Sequence, residues 1–390
     1  MQTIIDPVTE SSAILLQLKQ LRHHLHKHPE LSGKEYKTAE HILQFFKKYE
    51  PTEILDKLGS GTGIVAIWDS GKQGKTVLFR TELDALPIEE ANTDLDYCSS
   101  TKGVSHKCGH DGHATMVAGL APFLQQKQFR GKVGLLFQPA EETGEGAIAL
   151  INDERFKAVQ PDYIFGLHNL PGCPKAVVHL QNESVCPASC GMKIILEGLS
   201  SHAAEPEKAI TPSACIVSLL QSVLQLPSQL QTKALSIVTA THVSMGEATF
   251  GITPGQAVVH FTLRAFHEGD MKKLIASAEQ LVRDAAAKDG LKYNITYHDG
   301  FPVTYNHPEA FDLMKKAAEL SAMKMIVKEE PFRWSEDFGH YAKLCKIGFF
   351  GLGSGEEIPN LHNPSYDFPD DIIPYGMKMY QKIIELINGM

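Results

Sequence analysis

Short apolar runs that alternate with helical segments constrain the fold of this chain more than any other feature. The runs read as strands covered on both faces of a sheet, and they lie at residues 63–68, 76–79, 133–137 and 163–167. Strands that alternate with helices, such as the helix expected at 111–123, predict an α/β domain whose central sheet is flanked by helices. Candidate ligands follow these runs directly: Asp84, Glu141, Glu142 and His168. Because open α/β sheets bind ligands beyond the carboxyl ends of their strands, we expect a site there.

The densest group of metal-binding side chains is the run Cys108-Gly109-His110-Asp111-Gly112-His113. It places one thiol, two imidazoles and one carboxylate within six residues, and His362 adds an imidazole further along the chain. Borderline metals such as zinc are bound by Cys, His and carboxylate groups together. The combination predicts a metal-dependent hydrolase.

Each outlying candidate also has a purely structural explanation. Adjacent acids such as Glu141 and Glu142 are usually just solvated, although one can bind a metal while the other transfers a proton. His168 could be a hydrogen-bonded core imidazole, and His362 could be an ordinary loop histidine. Because these residues occur together with Cys108 and His110, a role in a metal site is favoured over these structural explanations.

Four further histidines fall within six residues at 23–28. They precede Pro29 at the end of a segment with helical spacing, where histidine interacts favourably with the negative pole of the helix dipole. This explanation is favoured over chelation of a metal by the run.

Charge and composition exclude several classes of protein. The net charge of −9 argues against nucleic acid or an anionic membrane surface as a partner, because both require positive patches. No apolar run is long enough to span a bilayer, and residues 1–10 lack the pattern of a secretory signal. Seven scattered cysteines then read as buried or ligand thiols, not as a disulfide framework. We expect a cytoplasmic protein.

A change of pattern near residue 190 predicts a second domain. Two helices and four strands follow in the order βαββαβ, which is typical of ferredoxin-like domains. The expected organisation is a discontinuous metal-binding catalytic domain, residues 1–188 and 303–390, with an inserted domain at 189–302. The second half of the catalytic domain must return to the site because it carries His362.

On these motifs the chain resembles the M20 metallopeptidase family, specifically its amidohydrolase branch of aminoacylases, hippurate hydrolases and auxin-conjugate hydrolases. The similar stretches occur in the family's order and span nearly the whole chain: residues 25–31, 84–88, 106–113, 137–142, 198–204, 335–338 and 361–364. The resemblance implies two divalent metal ions, with zinc or manganese expected first and cobalt or nickel also compatible with the donor set. It implies five metal ligands: Cys108, His110, Glu142, His168 and His362.

The resemblance also implies roles for four other residues. Glu141 matches the family's general base, and Asp84 matches an aspartate that orients the metal ligands. In the inserted domain, His202 matches a histidine that stabilises the oxyanion, either within its own subunit or across a homodimer formed through this lid domain. Arg264 matches an arginine that grips the substrate carboxylate, the alternative being a strand-end surface arginine.

The implied activity is metal-dependent hydrolysis of the amide bond in N-acyl amino acids or similar small linear amides. Glu141 would take a proton from the attacking water and pass it to the leaving amine. The alternatives are a dipeptidase or aminopeptidase on the same scaffold, and a catalytically silent binding protein. Two departures from the family pattern concern the pocket: Glu82 stands where relatives usually have aspartate, and Gly251 where they often have asparagine.

Overall fold

The computed structural model describes residues 12–389, which form two compact units. The first comprises 12–185, Thr304–Glu330 and 337–389, and the second comprises Cys186–Val303 and Pro331–Glu336. The second unit starts three residues before, and its main segment ends one residue after, the inserted domain expected at 189–302. The short segment 331–336 also belongs to the second unit. Residues 1–10, on which the expectation of no secretory signal was based, lie outside the described residues. None of the described helices is long and apolar enough to cross a membrane.

The first unit begins with two helices and continues as alternating strands and helices. Its elements up to the insertion are α1 (Ser12–Lys27), α2 (Tyr36–Phe46), β1 (Glu53–Leu58), β2 (Gly63–Asp69), β3 (Thr76–Glu82), α3 (His110–Ala118), α4 (Ala121–Gln125), β4 (Lys132–Gln138), α5 (Gly146–Asn152), α6 (Glu154–Lys157), β5 (Tyr163–Pro171), β6 (Val178–Gln181) and β7 (Ser184–Cys186). The single helix expected at 111–123 is therefore two helices.

Apart from two strands of two residues each, β9 (Ser201–His202) and β11 (Ile252–Thr253), the second unit has the βαββαβ order. Its other elements are β8 (Ala188–Glu197), α7 (Ser213–Gln229), β10 (Ser236–Met245), β12 (Gln256–Ala265), α8 (Glu268–Lys288) and β13 (Lys292–Phe301). The antiparallel sheet order is β10-β12-β8-β13, and alternate residues of β12 are buried, as expected for a sheet with helices on one face. Helix α7 starts at Ser213, whose hydroxyl lies 2.9 Å from the hydroxyl of Thr211.

The chain then returns to the first unit with β14 (Thr304–Tyr305), α9 (Pro308–Leu320), β15 (Met325–Lys328), β16 (Lys346–Gly355) and α10 (Ile373–Asn388). The eight-stranded sheet has the order β1-β2-β4-β3-β5-β16-β6-β15. Strands β4, β3, β5 and β16 are mutually parallel, and their residues are almost entirely buried. Burial on both faces explains why they appear in the sequence as continuous apolar runs. The α/β fold class is confirmed.

Candidate metal centre

The candidate ligands of the first unit converge at the carboxyl ends of β3, β4 and β5. Asp84 lies two residues after β3, and Glu141 and Glu142 lie in the loop after β4. His168 lies inside β5 and not at its end, because pairing with β16 extends β5 to Pro171. Parallel neighbours end at one edge of a sheet, and this brings groups that are far apart in sequence to one place.

The run 108–113 enters this edge through a sharp turn at Gly109. Helix α3 begins at His110, and Gly109 precedes it with a φ of 95°. A Cβ atom at position 109 would lie 2.6 Å from the side-chain oxygen of Asn169. Only glycine combines this backbone conformation with such a close approach, so that Cys108 and His110 can both face the strand ends.

Hydrogen bonds fix the orientation of two of the predicted histidine ligands. Nδ1 of His110 donates to the backbone carbonyl of Asp84 at 2.9 Å, and Nδ1 of His168 donates to the carbonyl of Asn169 at the same distance. A carbonyl only accepts, and therefore each imidazole carries a proton on Nδ1, and Nε2 is the nitrogen that can bind a metal once it is unprotonated. Nε2 of His168 lies 3.4 Å from Sγ of Cys108.

Two groups of possible ligand atoms overlap at Cys108. In one, the thiol joins His110 and His168; in the other, it joins Glu142 and His362; within each group the ligand atoms lie within 4.8 Å of one another. The structure thus brings together all five predicted ligands, in two groups of possible ligand atoms that share Cys108. The assignment of each residue as a ligand stays a prediction.

His362 reaches this position with an unusual backbone conformation. Its φ is 65°, in the left-handed region that non-glycine residues rarely adopt. Its backbone N–H donates to the carbonyl of Lys107 at 2.7 Å, and its Nε2 lies 3.7 Å from a carboxylate oxygen of Glu142. Strained backbone that the surrounding structure maintains is common at functional sites.

Asp84 is fully buried and organises the loop of the acidic pair. One carboxylate oxygen accepts from the Ser32 hydroxyl at 2.7 Å and from the backbone N–H of Glu142 at 3.0 Å. Although burial acts to raise it, the pKa of Asp84 is lowered by His110 and by these hydrogen bonds. Its other oxygen has no hydrogen-bond partner among the described residues and lies 3.5 Å from Nδ1 of His110.

The electrostatics of the cluster fit a divalent cation. Burial raises the pKa of Cys108 well above its usual range, and Glu142 and Glu141 raise it further, so a thiolate here requires a compensating positive charge. Burial would lower the pKa of His110, but Asp84, Glu82 and Glu142 together raise it to about 10. Within the described residues, Nε2 of His110 is buried without a hydrogen-bond partner. A mixed sulfur, nitrogen and oxygen donor set of this kind suits zinc and similar borderline ions.

Glu141 faces the same cluster from a strained loop. Its carboxylate lies 3.7 Å from Nε2 of His110, and the preceding residue, Ala140, has a φ of 51°. The backbone N–H of Ala140 donates to Glu35 at 2.9 Å. Glu35 is fully buried and has a raised pKa because of its burial. Sequence reasoning missed Glu35, since a lone glutamate directly before a helix carries no periodic or motif signal.

His113 and Glu82 support the site without joining the predicted ligand set. Nδ1 of His113 lies 2.9 Å from the Glu82 carboxylate, and its Nε2 accepts the backbone N–H of Asn169 at 3.1 Å. Glu82 also pairs with Arg80, which in turn donates to Asp337 at 2.7 Å. The longer side chain at position 82 therefore reaches a buried network and does not leave a gap.

A second buried network underlies the run 108–113 and was also missed from sequence. The ammonium of Lys107 lies 2.6 Å from Glu90 and donates to the backbone carbonyl of Tyr366 at 2.7 Å. His26 bridges Glu90, at 3.0 Å, and Asp111, at 2.8 Å. Lys107 and Asp111 flank predicted ligands in sequence, but only the fold reveals that both side chains are buried and paired.

The two remaining predicted site residues belong to the second unit. His202 is exposed in β9, and its Nδ1 accepts from the backbone N–H of Ala204 at 3.0 Å. Arg264 is half-buried in β12 and donates to the hydroxyl of Ser335 at 2.6 Å. Burial lowers the pKa of Arg264.

The sequence matches the peptidase family M20/M25/M40 over residues 78–386. The chain belongs to this family. It is 32% identical to the hippurate hydrolase of Campylobacter jejuni over 372 residues, which cover 94% of this chain and 95% of that enzyme. It is 31% identical to the N-acetyl-L-cysteine deacetylase of Bacillus subtilis over 391 residues, covering 97% and 90% of the two chains.

The fold is also that of a solved M20 structure. A dinuclear metal-binding peptidase of the family from Bacillus subtilis superimposes with a TM-score of 0.82 at 24% identity, covering 97% of this chain and 99% of that one. Together these matches confirm the predicted resemblance to the amidohydrolase branch and the predicted enzyme class, a metal-dependent amidohydrolase.

Proposed function

We propose that the enzyme hydrolyses the amide bond of N-acyl amino acids or closely similar small amides. The observation that carries this proposal is the position of Glu141, whose carboxylate faces His110 at the edge of two overlapping ligand groups. Relatives named as hippurate hydrolase and N-acetyl-L-cysteine deacetylase, each matched over nearly the whole chain, support an N-acyl amino acid as the substrate class.

Cys108, His110, Glu142, His168 and His362 would hold two divalent ions, which when bound supply Lewis acidity toward the water and the amide carbonyl. Glu141 is placed to remove a proton from the attacking water. It then delivers this proton to the nitrogen of the leaving amine as the C–N bond breaks. Asp84 orients His110 through its backbone carbonyl and positions Glu142 through the backbone N–H of that residue.

His202 and Arg264 are proposed to complete the site from the second unit. Because Nδ1 of His202 accepts a hydrogen bond from Ala204, its proton resides on Nε2, which supports a role as donor to the oxyanion. The Arg264 guanidinium suits a substrate carboxylate, which it can bind through two parallel hydrogen bonds. We include in this proposal a homodimer formed through the second unit, in which His202 can serve the neighbouring subunit.

The test is release of free amine from N-acetyl, N-benzoyl and indole-acyl amino acids, measured beside free dipeptides after chelation and reloading with zinc or manganese. We expect metal-dependent release from members of the blocked series. Cleavage confined to free dipeptides would replace the proposal with the peptidase alternative. No turnover of any compound by metal-loaded enzyme would favour a silent binding protein.

A further inference from the structure

The structure divides the four-histidine run near the end of α1 into two pairs with different surroundings. His23 and His26 contact carboxylates: Nε2 of His23 lies 2.9 Å from Asp370, and His26 bridges Glu90 and Asp111. His24 and His28 are both exposed. The helix-end explanation therefore accounts for none of the contacts that His23 and His26 make, and it leaves His24 and His28 unexplained.

His24 and His28 are neighbours on one helical turn. The backbone N–H of His28 donates to the carbonyl of His24 at 3.1 Å, which continues the turn one residue beyond α1. Their ring centroids are 4.6 Å apart, with the planes tilted by 52°. Residues four apart on a helix lie side by side, which allows two imidazoles to bind one ion.

A third imidazole reaches this pair from α2. The ring of His41 stacks on that of His24 with a centroid separation of 3.7 Å and an interplanar angle of 14°. Seventeen residues separate His24 from His41, and only the packing of α1 beside α2 brings their rings together. The cluster His24, His28 and His41 could not have been identified from sequence spacing.

The chemistry of this cluster suits a metal ion. Partial desolvation by its neighbours, together with His41 and His28, lowers the pKa of His24 to about 4, and desolvation and His28 lower the pKa of His41. Neutral imidazoles retain the lone pairs that a metal requires. Among the described residues, none of the three forms an ion pair with a carboxylate, and the one hydrogen bond to their rings joins Nδ1 of His28 and the Ser100 hydroxyl, at 3.3 Å.

We propose that His24, His28 and His41 form a surface binding site for a borderline divalent ion of the zinc, nickel or copper class. Three imidazole nitrogens and water would complete its coordination. Imidazole nitrogens favour these borderline ions over hard ions such as magnesium and calcium, which prefer oxygen ligands. The stacked rings of His24 and His41 must rotate about their side-chain bonds so that their nitrogens converge on the ion.

An ion bound by His24 and His41 would connect α1 to α2 and so stabilise the folded protein. An ion held by α1 and α2 stabilises the folded state by mass action. The opposite face of α1 carries Arg22 and His26, which contact Asp111 in the run that supplies the candidate catalytic ligands. The inference is independent of the reaction proposed above, since it concerns ion binding by residues outside the candidate catalytic cluster.

The experiment is a calorimetric titration with Ni²⁺ of enzyme that already holds its catalytic ions, with the metal content determined before and after. We expect wild type to bind one further equivalent, and H24A and H41A each to lose it while retaining their activity toward an N-acyl amino acid. H298A, which removes an exposed histidine of the second unit, is the matched control and should bind as wild type does.

A second measurement separates ion binding from damage to the fold. Without added Ni²⁺, H24A and H41A should melt at the wild-type temperature, and saturating Ni²⁺ should raise the melting temperature of wild type and H298A alone. Equal uptake of Ni²⁺ by all four proteins would overturn the proposal. So would uptake that occurs only as the catalytic ions are released.

Discussion

The backbone N–H of His362 donates to the carbonyl of Lys107 at 2.7 Å. This bond connects the loop of His362 directly to Lys107, the residue before the predicted ligand Cys108. The ammonium of Lys107 contacts Glu90 and the carbonyl of Tyr366, so the same residue connects three segments. Lys107 is therefore placed to set the separation between the two overlapping ligand groups.

Replacing Lys107 with methionine should destabilise the enzyme strongly. The substitution keeps most of the side-chain volume but removes the ammonium from buried Glu90, which keeps its contacts with His26 and the Ser99 N–H. Breaking a buried ion pair costs up to about 3–5 kcal/mol. Urea denaturation measures the loss. K102M, which alters an exposed lysine in the preceding loop, should change the free energy of unfolding by less than about 0.5 kcal/mol. Equal stability of the two variants would show that the buried pair contributes nothing.

Glycine at position 109 should be indispensable for the arrangement of the site. In G109A the new methyl would lie 2.6 Å from Asn169, in addition to a backbone strain of about 1–3 kcal/mol from the positive φ. G71A is the control, because Gly71 has a φ of 71° and open space around its Cα. We expect G109A to lose more stability than G71A and also to bind metal more weakly, as measured by equilibrium dialysis.

Glu141 should be required for turnover but not for binding of the ions. E141Q keeps the shape of the side chain and removes its ability to accept a proton, which should lower kcat by roughly 10²–10⁴-fold. Elemental analysis should find wild-type metal content. E145Q, at an exposed glutamate of the same loop, should keep full activity. If E141Q turned over normally, the general base would have to be another group.

Stability should fall with rising pH because of His26. Burial lowers the pKa of its imidazole, but hydrogen bonds to Asp111 and Glu90 outweigh this and raise it to about 9. A group whose pKa is higher in the folded state stabilises fully below its unfolded pKa, near 6.5, and loses this contribution as the pH rises through 9. The contribution of His26 is at most about 3 kcal/mol.

The measurement is the free energy of unfolding at several pH values between 6.5 and 9.5 for wild type and H26Q. We expect the decrease over this range to be smaller in H26Q, whereas H298Q should retain the wild-type slope. Identical slopes in all three proteins would show that His26 is not charged in the folded state.

Sequence predicted the elements that follow from periodicity and missed the contacts that follow from packing. The strand at Gly63–Asp69 was predictable because burial on both faces produces a continuous apolar run. The pairing of Lys107 with Tyr366 was not, since 259 residues separate them and lysine normally marks a surface. His168 was placed at a strand end because apolar character stops there, whereas the backbone pairing with β16 continues to Pro171.

The candidate ligands were recognisable because residue types that bind metal are rare in such density. The residues that support them were not, because Glu35 and Glu90 act through hydrogen bonds to segments that are distant in sequence and have no regular pattern. The strained backbone at Ala140 and His362 likewise has no sequence signal, since neither is a glycine.

Amide hydrolysis should depend on ions held by one cluster of side chains: Cys108, His110, Glu142, His168 and His362. The most direct measurement is the rate of amine release from N-benzoylglycine as chelated enzyme is titrated with Mn²⁺ or Zn²⁺, for wild type and C108S. We predict negligible release before addition, a rise that levels off by two equivalents in wild type, and little recovery in C108S. Full activity of the chelated enzyme, or equal recovery by C108S, would contradict the account.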